Sequence, residues 1–123
     1  LLTGDLEAGQ ERALVGRDLP LRSDVMAVPH HGSNTSSTDA LLHAVRPRLA
    51  LIQSGYRNSY GHPTAAVLAR YVQHDAVTHA SPDCGAMHWR STAPVQLRCE
   101  RELSRRYWRH DAVRATLARR NAR

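Results

Sequence analysis

The chain has 123 residues, 41% hydrophobic and 23% charged, the proportions of a globular domain with one modest core. No apolar run approaches the ~18–20 residues that a bilayer span needs, which excludes a membrane helix within this stretch. All 17 basic residues are arginine, and the net charge of +6 comes from one end: from Arg98 onward nine arginines face Glu100, Glu102 and Asp111, while residues 1–97 hold eight arginines and eight acids. Such a tail attracts phosphate backbones or anionic lipid through salt-sensitive contacts, or it is a solvated, frayed terminus. Two cysteines, Cys84 and Cys99, are too few for a disulfide framework. They fall on two neighbouring predicted strands, so a bridge is geometrically open, but free core thiols are the favoured expectation.

Leu1-Leu2-Thr3 reads as the end of a buried strand. With no initiating Met, this leads us to expect a fragment whose upstream part is missing. Gly4-Asp5 makes a turn, and Glu7 to Val15 carries good helix formers, with Leu6, Ala13 and Leu14 on one face. Gly16, a residue that accepts left-handed backbone angles, is expected to end that helix. Asp24 to Val28 is a short β-rich run stopped by Pro29, and the polar loop His30 to Ser37 follows. Ser36 with Asp39, or Thr38 alone, can cap a helix whose apolar face is Leu41, Leu42 and Val45, ending at Arg46-Pro47. Leu49 to Ile52 is a continuous apolar run of buried-strand type. After the loop Ser54–Gly61, Pro63 suits the first turn of a helix presenting Val67, Leu68, Tyr71 and Val72. Ala76 to Thr78 is a further strand, a turn at Pro82–Gly85 leads to Ala86–Trp89, and Val95, Leu97 and Cys99 alternate with polar neighbours as a half-exposed strand. Alternating helices and short strands predict an α/β layer arrangement without internal repeats.

Two motifs carry chemistry, each just after a strand. Thr3-Gly4-Asp5 puts a carboxylate at a strand tip; Pro29-His30-His31-Gly32-Ser33 puts imidazoles at another, His31 coming 26 residues after Asp5. One strand–helix–strand unit separates them, so both can project from the same sheet edge. A carboxylate bridging two divalent ions, with an imidazole on one of them, is a recurrent two-metal arrangement. Either motif alone is weak, since Gly-Asp turns are commonly structural and loop histidines commonly lie on the surface. Gly32 permits close backbone approach, and the hydroxyl-rich continuation can donate to a phosphate oxygen.

Together, Leu1–Asp5 and Ser23–Ser37 resemble the second half of a metallo-β-lactamase-fold hydrolase. Arg46-Pro47-Arg48, Ser54–Pro63 and Asp83–Ala86 are similar to the C-terminal domain of ComEC-type DNA-uptake proteins, over residues 1–99 and again at Arg106-Tyr107-Trp108. The resemblance implies the C-terminal half of an αββα sandwich with one sheet layer (residues 1–99); the charge balance marks residues 100–123 as a basic tail, either holding DNA near the cleft or disordered. The resemblance also implies a metal-dependent phosphodiesterase or nuclease that degrades the DNA strand not imported, with two divalent ions, zinc or manganese. Its partners would be DNA, the upstream half of the same domain and a membrane channel of the parent chain, which would lie in the bacterial inner membrane.

By the same resemblance Asp5 bridges both metals and His31 binds one, with His30 orienting the site or touching substrate. His62 binds phosphate or assists the leaving group, or simply packs on Tyr60. Ser33 and Asn34 are further substrate contacts. His43, His74, His79, His88 and His110 match no motif and are expected to be surface or core residues. The sequence departs from the full pattern in lacking the His-x-His-x-Asp-His motif that supplies most ligands. The chain by itself is therefore expected to be catalytically inert and poorly folded. Hydrolysis of another phosphodiester, or non-catalytic nucleic-acid binding on the same fold, are the alternative functions.

Overall fold

Three apolar runs of the sequence become one parallel sheet. In the computed structural model, which describes residues 1–94 and 96–104, β1 (Val25–Ala27), β2 (Leu49–Ile52) and β3 (Val77–Ala80) lie in the order β1-β2-β3. Val25 faces Leu49 across one pair and Leu49 faces Val77 across the next. Parallel strands need crossovers, and two helices supply them: α2 (Asp39–Val45) and α3 (Ala65–Gln73). Each starts at a threonine whose hydroxyl accepts an otherwise orphaned N–H, Thr38 from Leu41 and Thr64 from Val67. Arg46 ends α2 in the left-handed region.

The core lies on one face of this sheet. Met26, Val28, Ala50 and Ile52 meet Leu41, Leu42 and Val45 of α2 and Val67 and Tyr71 of α3. Burying each large aliphatic side chain contributes about 1.5–3 kcal/mol, so this cluster is the main source of stability. The opposite face is only partly covered: Val25, Ala27 and Leu51 keep some exposure and Val77 is 55% exposed. A cavity of about 530 Å³ separates that face from residues 85–89. Leu1–Thr3 flanks β1 without being a regular strand, through Leu1 N to Val25 O (2.7 Å), Ala27 N to Leu1 O (2.9 Å) and Thr3 Oγ1 to Ala27 O (2.7 Å).

Several expectations are corrected. The first helix, α1, spans Ala8–Val15, and its buried residue is Glu11; Ala13 is exposed. Gly16 closes α1 with right-handed angles, because its N–H bonds Arg12 O and Leu14 O lies within reach without a reversal of the chain. Pro63 precedes the Thr64 cap and stands outside α3, and Val72 of α3 is 71% exposed because only one narrow face meets the sheet. Ser36 caps nothing; its hydroxyl donates to Pro29 O and Ser33 O.

The α/β class is observed, but the strands do not form a single layer. After the one-turn helix α4 (Ser81–Cys84), β4 (Met87–Trp89) and β5 (Leu97–Cys99) pair antiparallel as a separate two-stranded sheet. Cys84 and Cys99 are disulfide-bonded, which corrects the favoured expectation of free thiols. The reason is positional: the turn of α4 brings Cys84 to the end of β5, with 4.6 Å between the two Cα atoms, inside the range a bridge requires. Residues 100–104 continue the ordered chain as α5 (Glu100–Leu103), whose first N–H bonds Ala86 O. The rest of the basic tail, with Arg106-Tyr107-Trp108 and His110, lies outside the described residues, as does Val95.

Candidate functional site

The Pro29-His30-His31-Gly32 motif folds into a tight turn directly after β1. His30 (φ 48°) and His31 (φ 56°) are both left-handed, a conformation that costs a non-glycine residue about 1–2 kcal/mol. Surrounding bonds hold them there. His30 N–H donates to Gly4 O (3.0 Å), tying the turn to the Gly4-Asp5 motif, and Ser33 N–H donates to His30 O (2.9 Å). The loop that follows is gripped from two helices. Glu11 of α1 accepts the N–H groups of Ser37 (2.7 Å) and Thr38 (2.8 Å). From α3, Arg70 donates to the carbonyls of Ser36 and Ser37, both at 2.7 Å.

His31 and Asp5 converge. His31 Nδ1 lies 2.6 Å from Gln53 O, and because a carbonyl only accepts, Nδ1 carries the proton. In the neutral ring the other nitrogen, Nε2, presents its lone pair; it stands 3.8 Å from Asp5 Oδ1. Two donors on one ion, each about 2.0–2.2 Å from it, can be up to about 4 Å apart, so this pair fits two positions of a coordination shell. An imidazole pinned through its far nitrogen is the usual arrangement of a metal-ligating histidine. Both side chains are more than half exposed, so the pair opens outward. Among the described residues no group of three or more His, Cys, Asp or Glu side chains is placed to hold an ion, and the remaining donors would have to come from elsewhere.

The other residues singled out by the sequence are distributed around this pair. His30 lies beside His31 (ring centroids 6.4 Å) and His62 (6.2 Å), and its Nδ1 is 3.2 Å from Glu7 Oε1, without hydrogen-bond geometry. His62 shares with His31 a cavity of about 440 Å³, which Gln53, Asn58, Tyr60 and Ser81 also line. It also stacks on Tyr60, 5.9 Å between centroids at 20°, as the packing reading of this histidine expects. Ser33 and Asn34 do not line that cavity. Ser33 is buried, with its hydroxyl 3.1 Å from Thr35 Oγ1, and Asn34 turns its carbonyl toward Arg70. Among the remaining histidines, His74 contacts Asp39 (3.0 Å) and His88 contacts Glu100 (3.3 Å), away from the pair.

Sequence reasoning missed Glu7, Glu11, Gln53, Asn58 and Arg70. Asn58 braces the 54–63 loop, with Nδ2 donating to Gly55 O (3.1 Å) and His62 O (2.7 Å) and Oδ1 accepting His62 N–H (3.0 Å). Asparagine among glycines is a recognisable turn signal that could have marked it. Gln53 acts through its backbone carbonyl, which no side-chain pattern reveals.

Over 75 residues, 60% of the chain, it is 49% identical to Competence protein ComA of Neisseria gonorrhoeae, covering 11% of that protein. The chain is thus similar to part of a competence protein. Similarity to ComE operon protein 3 of Bacillus subtilis is 31% over 90 residues (73% of the chain, 12% of the relative). Recombination protein 2 of Haemophilus influenzae is 46% identical over 70 residues (57% and 9%). The chain thus spans about a tenth of the length of the relatives it matches. No family model matches it, and no solved structure does. None of the described helices is long and apolar enough to cross a membrane.

Proposed function

We propose that this chain is the later half of a metal-dependent phosphodiesterase domain of metallo-β-lactamase fold, within a DNA-uptake protein, and that it helps degrade the DNA strand that is not imported. The observation that carries the proposal is the convergence of His31 Nε2 and Asp5 Oδ1 to 3.8 Å, with His31 Nδ1 already committed to Gln53 O. The half-covered face of the sheet supports the fold, since parallel sheets are ordinarily covered on both sides and an upstream half would supply that layer.

In this reading two divalent ions, zinc or manganese, would be held by Asp5, His31 and ligands of the upstream half. When bound, they supply Lewis acidity for a water and for the phosphodiester. The protein's own groups do the rest. Asp5 offers two anionic oxygens at a strand tip, and the Gln53 carbonyl keeps His31 in the tautomer that presents Nε2. His30 and His62 flank the pair and can donate to phosphate oxygens or to the departing oxygen. The Cys84–Cys99 bridge supports placement of the domain on an oxidising side of the membrane.

The test uses the protein at its full natural length. Asp5→Asn and His31→Ala should each lower manganese- or zinc-dependent DNA cleavage by on the order of a hundredfold and reduce bound metal measured by elemental analysis. Undiminished cleavage by Asp5→Asn would sink the reading.

A further inference from the structure

Tyr60 is 81% exposed and Tyr56 is 53% exposed, two aromatic rings within five residues of a loop that borders the His31–His62 cavity. The Arg57 guanidinium lies 5.2 Å from the centre of the Tyr56 ring. This loop is a braced element, since the three Asn58 bonds fix its two ends against each other. Tyr60 is therefore presented to solvent in a set orientation, backed by the His62 ring at 20° to it. Beneath it, His62 Nδ1 and Ser54 Oγ are buried polar atoms with no hydrogen-bond partner among the described residues. Arg57 lies in this loop, and residues 54–63 contain no Asp or Glu.

We infer that Tyr60 is a stacking platform for an unpaired nucleobase, so that the site takes single-stranded DNA or a frayed end in preference to intact duplex. The inference rests on the phosphodiesterase reading and names the form of its substrate. An aromatic face with arginine alongside is the usual means of holding a single strand, because every base has a π-face to offer while the bases of a duplex already stack on each other. With a base on Tyr60, the backbone of the strand reaches the cavity where His62 and His31 stand, and the cavity volume of about 440 Å³ is in the range of small-ligand sites.

The experiment measures binding by the full-length protein, without divalent metal, of an oligothymidylate carrying one 2-aminopurine, by anisotropy and by quenching of that base. The wild type should quench it. Tyr60→Ala should weaken binding about tenfold and remove the quench, while Tyr60→Trp keeps both. Affinity for a blunt duplex of equal length should change by about twofold or less. Wild-type binding by Tyr60→Ala, or equal losses on single strand and duplex in both variants, overturns the inference. Because Tyr60 is exposed, loss of fold is not the expected cause, and thermal unfolding of each variant checks this. Cleavage assays with manganese separate the two readings: quenching without any cleavage removes the phosphodiesterase and leaves the platform, whereas cleavage unaffected by Tyr60→Ala removes the platform alone.

Discussion

Glu11 shows how a single side chain can fix a site it does not enter. It is fully buried in α1 and accepts the Ser37 and Thr38 N–H groups, which lead from the histidine turn into α2. Hydrogen bonds to charged groups contribute about 1.5–3 kcal/mol each, and their loss leaves one buried and one half-buried donor unmatched. Glu11→Ala should therefore destabilise the protein by about 3 kcal/mol, with Glu11→Gln milder; a urea titration would show a lower midpoint at unchanged slope. Gly32 is the complementary case. Its φ is +85°, and an added Cβ would lie 2.6 Å from Pro63 Cβ, so the two histidine motifs touch through a glycine and a proline. Gly32→Ala should cost about 1–3 kcal/mol in thermal unfolding and lower metal affinity as the His31 turn shifts from Gln53. If stability and metal affinity both stay at wild-type values, that coupling is wrong. At this scale the approach of Asp5 to His31 was legible, because one strand–helix–strand unit separates two residues at strand ends. Glu11 was not, because helical spacing assigns the buried face of α1 to Leu6, Ala13 and Leu14, and only the distant loop explains a buried acid.

Among the elements, α2 and the strand Leu49–Ile52 were readable almost to the residue, since a continuous apolar run and a threonine cap leave few alternatives. The limits of α3 were misread because a proline outside the helix and a proline in its first turn look alike in sequence. Tyr71 of α3 ties that helix to the histidine loop through its hydroxyl, 3.1 Å from Ser37 Oγ. Burial pushes the Tyr71 phenol up to about 12, with the Ser37 bond and Arg70 pulling the other way and Glu11 adding to the rise. The unfolded phenol titrates near 10. Between those values the unfolded chain holds fewer protons than the folded one, so stability falls as pH rises from about 10 to about 12 and is complete below that window. Tyr71→Phe should flatten this alkaline slope while losing the Ser37 contact at neutral pH. Unfolding free energies at pH 8 and pH 11 for both proteins check the sign.

Taken whole, the molecule has two unequal parts: a parallel sheet with its helices, which carries Asp5, His31 and His62, and the β4–β5 pair, whose Met87 and Trp89 line a cavity together with Val25, Ala27 and Leu51. The α/β class followed from alternating elements, but the separation into two sheets did not, because strand spacing along the chain says nothing about which strands share hydrogen bonds. The Cys84–Cys99 bridge was open in the sequence but not favoured, and Cys84 reaches Cys99 from the turn of α4 rather than from a strand. It fastens α4 to the end of β5 across 15 residues of sequence, and in the chain-entropy account a loop of that size stabilises by about 3 kcal/mol. The small β4–β5 pair has little core of its own, so most of that contribution should fall there. Trp89 reports on it, with its indole N–H donating to Pro94 O (3.1 Å) and its ring lining the cavity beneath the sheet. Reduction, or a Cys84→Ser/Cys99→Ser pair, should lower the unfolding midpoint and shift tryptophan emission to the red, and a Trp89→Phe background should remove that shift. The Asp5–His31 pair, held by β1 and by Gln53 after β2, should keep its metal affinity within about twofold, since sites without shared partners behave additively. Metal affinity falling in step with reduction would show that the two parts are mechanically one.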